Sequence, residues 1–145
     1  GLVHRDIKPS NVMLSHAGDG ETLRAVLMDF GIAKMGDGRT AITGTDPIGT
    51  IDYMAPAQIM AAKTVDHRAD IYALGVVAYQ MLTGELPFKG SAAQVLFAHI
   101  QQPPPNPRDI NPDVPRPAAK AVLKALSKPP DDRFQTAGEM LLALE

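Results

Sequence analysis

Apolar positions along this chain fall into short runs near its start and long ones after its middle. Val12-Met13-Leu14 is followed by a Gly/Asp-rich stretch, Ser15 to Glu21 with Gly18-Asp19-Gly20 inside it, and then by Arg24 to Met28. Two short apolar runs around such a turn predict a β-hairpin over 12–28. Gly36 to Thr50 is rich in Gly, Thr and Asp and has no period, which predicts a loop. From Asp66 to Thr83 the pattern changes. Ile71 to Leu82 is apolar nearly all round, the mark of a buried helix, and its twelve or so residues are too few to span a membrane. Gly84 ends it, and Glu85-Leu86-Pro87-Phe88 reads as a turn. Ser91, with Gln94 three positions on, opens a helix to Gln101. Pro103-Pro104-Pro105-Asn106-Pro107 and the residues to Pro117 predict a rigid connector without helix. Arg116 to Leu126 reads as a further helix. Thr136 with Glu139 forms a capping box for a last one running to Glu145.

Composition narrows the class. With 145 residues and 45% apolar content, one folded domain over 1–145 is expected, and neither a repeat nor a linker divides it. Lys and Arg number 14 against 16 Asp and Glu, net −2, which argues against nucleic-acid or membrane-surface partners recruited by charge. The chain has no Cys, so disulfides and thiolate metal sites are excluded, as suits a cytoplasmic protein. No membrane segment is expected, since no apolar run reaches about eighteen residues. Gly1 at the start fits either loss of an initiator Met or a cut through a longer chain.

The chemistry concentrates in His4-Arg5-Asp6-Ile7-Lys8-Pro9-Ser10-Asn11. Pro9 keeps Lys8 out of helical geometry, so a loop is required there. Asp6 and Asn11, five apart, would not stack on a helix, but a loop can turn both toward one point. Asp6 offers a carboxylate base, Lys8 a cation, and Asn11 a carbonyl oxygen suited to a hard cation such as Mg²⁺. Base, cation and metal ligand together are what phosphoryl transfer requires.

This stretch resembles the catalytic loop of protein kinases, whose pattern is His-Arg-Asp, four residues, then Asn. Lys two residues after the Asp resembles the Ser/Thr-specific members. Asp29-Phe30-Gly31 resembles the kinase metal-binding triplet. The resemblance implies that Asp6 accepts the substrate hydroxyl's proton and that Lys8 steadies the transferring phosphoryl. Asn11 and Asp29 would hold Mg²⁺, with Mn²⁺ as a substitute, against ATP. Phe30 would pack inward, and Gly31 would let the backbone swing. Gly36 to Thr50 would be the activation segment, with Thr40, Thr43 and Thr45 as phosphorylation candidates and Arg5 as the cation that pairs with such a phosphate. Thr50, ahead of Tyr53-Met54-Ala55-Pro56, would hydrogen-bond Asp6 and Lys8. His4 would be a packing and hydrogen-bonding residue. Asp70 would anchor the catalytic-loop backbone; from the sequence alone it is also a plain helix N-cap.

One position departs from the family. Where Ala-Pro-Glu is usual, this chain has Ala55-Pro56-Ala57. The Glu would pair with a buried Arg, here Arg133, so its loss should leave a buried charge short of a partner, at about 3–5 kcal/mol unless Asp131 or Asp132 compensates.

The fold implied is mainly α, or α+β by family: the C-terminal lobe of the protein kinase fold, its small hairpin carrying the catalytic and metal-binding loops. No Gly-x-Gly-x-x-Gly and no Val-Ala-Ile-Lys occurs, so the ATP-cradling N-terminal lobe is expected to be absent from this chain, leaving an apolar surface where it docks. The function implied is a partial Ser/Thr protein kinase of the eukaryotic (Hanks) type, most similar to bacterial members. Its partners would be a protein substrate and the missing lobe or remainder of a parent chain. Its location would be cytoplasmic, with a membrane anchor elsewhere in the parent allowed. The alternative is a non-catalytic, kinase-like lobe that acts as a binding or scaffold module.

Overall fold

Residues 3–16, 22–28, 49–60 and 65–145 are described by the structure, a computed structural model. Strands β1 (Val12–His16) and β2 (Leu23–Leu27) pair antiparallel, with Val12 opposite Leu27 and His16 opposite Leu23. The predicted hairpin is present, with Leu23 inside β2 and Met28 just beyond it. Met13, Leu14, Leu23, Val26 and Leu27 stand exposed on this two-stranded ribbon.

Six helices follow among the described residues: α1 (Pro56–Ile59), α2 (Arg68–Thr83), α3 (Ala92–Gln101), α4 (Pro107–Ile110), α5 (Arg116–Ala125) and α6 (Ala137–Leu144). The central one is α2. Tyr72, Val76 and Tyr79 pack in one cluster with Ala55, Ala69, Val122 and Leu126, while Ile71 packs with Ala121, Ala125, Phe134 and Met140. Gly75 permits this closeness: a Cβ there would lie 2.9 Å from the Cβ of Ala125 on α5. Gly84 ends the helix in the left-handed region at φ 76°, its N–H donating to the Gln80 carbonyl at 2.8 Å. The predicted all-round burial does not hold to the last turn. Met81 is 81% exposed, although Leu82 beside it still packs against the core.

Local signals set most other boundaries. At α3 the Ser91 hydroxyl accepts from the Gln94 N–H while Gln94 Oε1 accepts from the Ser91 N–H at 2.8 Å, a complete capping box. At α6 the box closes one residue upstream of the predicted place. Thr136 Oγ1 accepts from the Glu139 N–H, but the Glu139 carboxylate takes the N–H of Gln135 rather than that of Thr136. The proline-rich connector is not free of helix: α4 starts on Pro107 under an Asn106 cap, whose Oδ1 accepts from the Arg108 N–H at 3.0 Å. Proline fits a first helical turn because its missing N–H has no intrahelical role there. Asp70 is not the cap of α2. It is the third helical residue, and Asp66 Oδ1 accepts from the Arg68 N–H instead.

Arg133 corrects the expectation of an uncompensated charge. It is 3% exposed, and its guanidinium donates to the carbonyls of Ser127, Arg68 and Lys128, each at 2.8 Å. It also stacks 4.9 Å from the Tyr72 ring centroid. Three oriented carbonyl dipoles and an aromatic face replace the missing carboxylate. Asp131 turns away to pair with Arg68 at 2.6 Å. Burial still lowers Arg133 to a pKa of about 10.

Candidate active site

The backbone of the polar loop is set by Lys8-Pro9. Lys8 is extended (φ −162°, ψ 160°), and Pro9–Asn11 form a 3-10 turn closed by the Asn11 N–H on the Lys8 carbonyl at 3.0 Å. The turn brings Asn11 back over Asp6. Asn11 Nδ2 donates to the Asp6 carbonyl at 2.7 Å and to its Oδ2 at 3.1 Å. Lys8 Nζ lies 3.3 Å from the same Oδ2 and donates to Thr50 Oγ1 at 2.8 Å. Thus Asp6, Lys8, Asn11 and Thr50 converge, although Thr50 arrives from a distant segment. The Lys8 and Asp6 side chains are each 17% exposed, so their attraction is less screened than that of a surface pair.

A second set of bonds holds the loop's shape. Arg5 sits at φ 68°, a region that non-glycine residues occupy at a cost. Asp70 secures it: Oδ2 accepts from the His4 N–H at 2.8 Å and Oδ1 from the Arg5 N–H at 2.9 Å. Gln58 Nε2 donates to the Arg5 carbonyl at 2.9 Å, while Gln58 Oε1 caps the Ala55 N–H. Buried His4 accepts the Asp6 N–H at Nδ1, so its Nε2 carries the proton and donates to the Met28 carbonyl at 3.0 Å. The Met28 N–H in turn donates to the Asn11 carbonyl at 2.8 Å. Met28 immediately precedes Asp29, so the chain leaves the described residues tied to both ends of the loop. Asp29, Phe30, Gly31, Thr40, Thr43 and Thr45 lie outside them.

Beside the loop, residues 51–53 form a second 3-10 turn, and Tyr53 Oη donates to Gln80 Oε1 at 2.7 Å. Burial raises the pKa of the Asp52 carboxyl within that turn. A shallow recess opens between the turn and the loop, lined in part by Arg5, Asp6, Thr50, Tyr53, Met54 and Gln58. Gln58 and Met28 were not foreseen. A Gln in a one-turn helix and a Met at a strand end carry no local signal of either contact.

The family model for the protein kinase domain matches residues 1–141. The chain belongs to the protein kinase family. It is 45% identical over 148 residues to serine/threonine-protein kinase Pkn1 of Myxococcus xanthus, an alignment that covers 100% of this chain and 21% of that protein. It is 43% identical over 143 residues to serine/threonine-protein kinase PknB of Mycolicibacterium smegmatis, covering 97% and 22%. Against serine/threonine-protein kinase PknJ of Mycobacterium tuberculosis the identity is 42% over 144 residues, covering 96% and 24%. The chain therefore spans about a fifth to a quarter of these kinases. Among the described residues, its helix-rich fold with a small two-stranded antiparallel sheet agrees with a C-terminal kinase lobe. No helix among the described residues is long and apolar enough to cross a membrane.

Protein kinases as a family use ATP with Mg²⁺. Asn11 fits such an ion. Both of its hydrogen bonds run through Nδ2, so among the described residues its carbonyl Oδ1 is uncommitted, a hard oxygen of the kind Mg²⁺ takes.

Proposed function

We propose that this chain supplies the catalytic machinery of a Ser/Thr protein kinase, which moves the γ-phosphoryl group of ATP to a protein Ser or Thr hydroxyl. The convergence of Asp6, Lys8, Asn11 and Thr50 carries the proposal. The substrate hydroxyl loses its proton to the Asp6 carboxylate as its oxygen bonds the γ-phosphorus. The bond from that phosphorus to the β–γ bridging oxygen breaks, and ADP leaves. Lys8 places a positive charge beside the transferring group, and Thr50 fixes the Lys8 ammonium. Asn11 and Asp29 would hold Mg²⁺ or Mn²⁺, which when bound neutralises phosphate charge.

We place residues 1–145 as the C-terminal lobe and assign the adenine and phosphate cradle to an N-terminal lobe that precedes it in a parent chain. Arg5, whose guanidinium meets no carboxylate among the described residues, suits a phosphate on Thr40, Thr43 or Thr45. A cytoplasmic setting follows from the need for ATP, with or without an anchor in the parent.

The test is Mg²⁺-dependent transfer of labelled phosphate from ATP to a Ser/Thr peptide by the protein from its source. Asp6→Asn should abolish transfer and leave folding intact, whereas a wild-type rate in that variant would dismiss Asp6 as the base. A non-catalytic scaffold would show no transfer in either form.

A further inference from the structure

The peptide that joins Arg5, at φ 68°, to Asp6 is gripped at both ends. Its N–H, that of Asp6, donates to His4 Nδ1 at 3.3 Å. Its C=O, that of Arg5, accepts from Gln58 Nε2 at 2.9 Å. The Gln58 amide is engaged at its other end too, where Oε1 accepts from the Ala55 N–H at 3.1 Å. These partners fix which way round the amide lies, because a backbone carbonyl only accepts and a backbone N–H only donates. Gln58 is therefore bound to its own segment through the oxygen and to the 4–11 loop through the nitrogen.

Gln58 is the third residue of α1, and a Gln there that reaches the N-cap N–H is an ordinary capping arrangement. The oxygen alone accomplishes it. The nitrogen's reach across 53 residues of sequence adds nothing to the cap and acts on the loop instead. The Asp6 Cα lies in the plane of the gripped peptide, so the tilt of that plane sets the direction in which the Asp6 side chain leaves the backbone. A residue at φ 68° is costly to hold, so the loop has somewhere to relax once a restraint is removed. The same segment carries Thr50, whose hydroxyl receives Lys8 at 2.8 Å. Residues 49–60 thus act on the loop at its backbone as well as at a side chain.

We propose that Gln58 is a positioning residue for phosphoryl transfer: its amide ties the 49–60 segment to the Arg5–Asp6 peptide and so keeps the Asp6 carboxylate against Lys8 and Asn11. The effect on transfer rests on the kinase reading; the tie itself does not.

The test uses the whole protein from its source and two variants. Gln58→Glu keeps an oxygen for the Ala55 N–H but sets a second oxygen against the Arg5 carbonyl. Gln58→Met keeps the length and loses both bonds. Residue-resolved amide exchange comes first. In Gln58→Glu the Asp6 N–H should exchange about five- to tenfold faster than in the wild type, with the Ala55 N–H within about twofold; in Gln58→Met both should be faster. A Gln that only caps α1 would leave Asp6 exchange unchanged in both variants, and that result overturns the proposal. Steady-state kinetics comes second. In both variants kcat should fall about tenfold, with the KM for ATP within about twofold, because the base moves while the nucleotide is held elsewhere. An unchanged kcat beside a freed Asp6 N–H would overturn the positioning role. A wild-type protein that transfers no phosphate would sink the kinase reading and the effect on transfer with it, while the exchange split would still decide the tie.

Discussion

The Arg5 N–H donates to Asp70 Oδ1 at 2.9 Å across 65 residues of sequence, while Arg5 itself sits at φ 68°. A strained residue next to Asp6 is thus held by a carboxylate on the central helix. Asp70→Ala leaves the His4 and Arg5 N–H groups without an acceptor and should cost roughly 3 kcal/mol, from two charge-assisted bonds partly replaced by water. Asp70→Asn retains one neutral acceptor and should cost about half as much. Urea unfolding checks both. Equal losses in the two variants would mean that the loop's shape does not depend on these bonds.

Lys8 and Thr50 form one of the links between the 4–11 loop and the segment from residue 49 onward. Thr50→Val keeps the volume and removes the acceptor, so transfer should fall about ten- to a hundredfold, the worth of a hydrogen bond to a charged group. Thr50→Ser should stay within a few-fold of wild type. Steady-state kinetics with a peptide substrate separates these outcomes. A Val variant with unchanged kcat would show that Lys8 needs no such partner.

Gly75 lies where α2 and α5 come closest. Gly75→Ala gains up to about 1 kcal/mol of helix propensity but drives a methyl into Ala125, and overpacking costs about 1–3 kcal/mol. A net loss of about 1 kcal/mol is expected. Ala125→Gly in the same chain should recover most of it, and a double-mutant cycle measures the coupling.

Arg133 donates from three nitrogens to three carbonyls. Arg133→Lys retains the charge but cannot span that fork, which leaves two buried acceptors unmet at roughly 2–4 kcal/mol. A Tm within a degree or two of wild type would instead show that the carbonyls accept water readily.

His99 makes stability pH-dependent. In the folded chain its pKa is lowered to about 4 from 6.5, first by burial and then by Lys128. Between those values the unfolded chain binds the proton and the folded chain does not, so stability is full above pH 6.5, falls as pH drops toward 4, and levels below. The total is about 3 kcal/mol. His99→Gln should lack this part of the slope, read as the difference in unfolding free energy between the two chains from pH 7 to pH 4. Parallel curves would show that His99 takes up its proton equally in both states.

Much of the fold was legible because its signals are local. The capping box of α3 lies within Ser91 and Gln94, the stop of α2 within Gly84, and the hairpin within two short apolar runs about a Gly-rich turn. The loop of the site was legible for the same reason, since Lys8-Pro9 forces the bend that returns Asn11 to Asp6. Local expectations gave way where a neighbour decided the outcome. The connector after Pro103 contains α4, whose Asn106 cap and Pro107 start outweigh the surrounding prolines. Asp70, which reads locally as an N-cap, gives its carboxylate to the backbone of the 4–11 loop, as the resemblance implied.

By itself, then, the sequence determined the order and type of most elements, the family, and which polar side chains the loop carries. Each of these depends on spacings of a few residues, which φ/ψ preferences and side-chain reach translate directly into geometry. The resemblance already implied that Asp70 holds the loop backbone and that Thr50 meets Lys8, and both contacts are present. The tertiary structure alone decided two others: Gln58 meets the Arg5 carbonyl 53 residues away, and Arg133 finds carbonyls in place of a carboxylate. Such partners are chosen by how the helices pack around α2, and packing is a property of the assembled core that no local pattern along the chain contains.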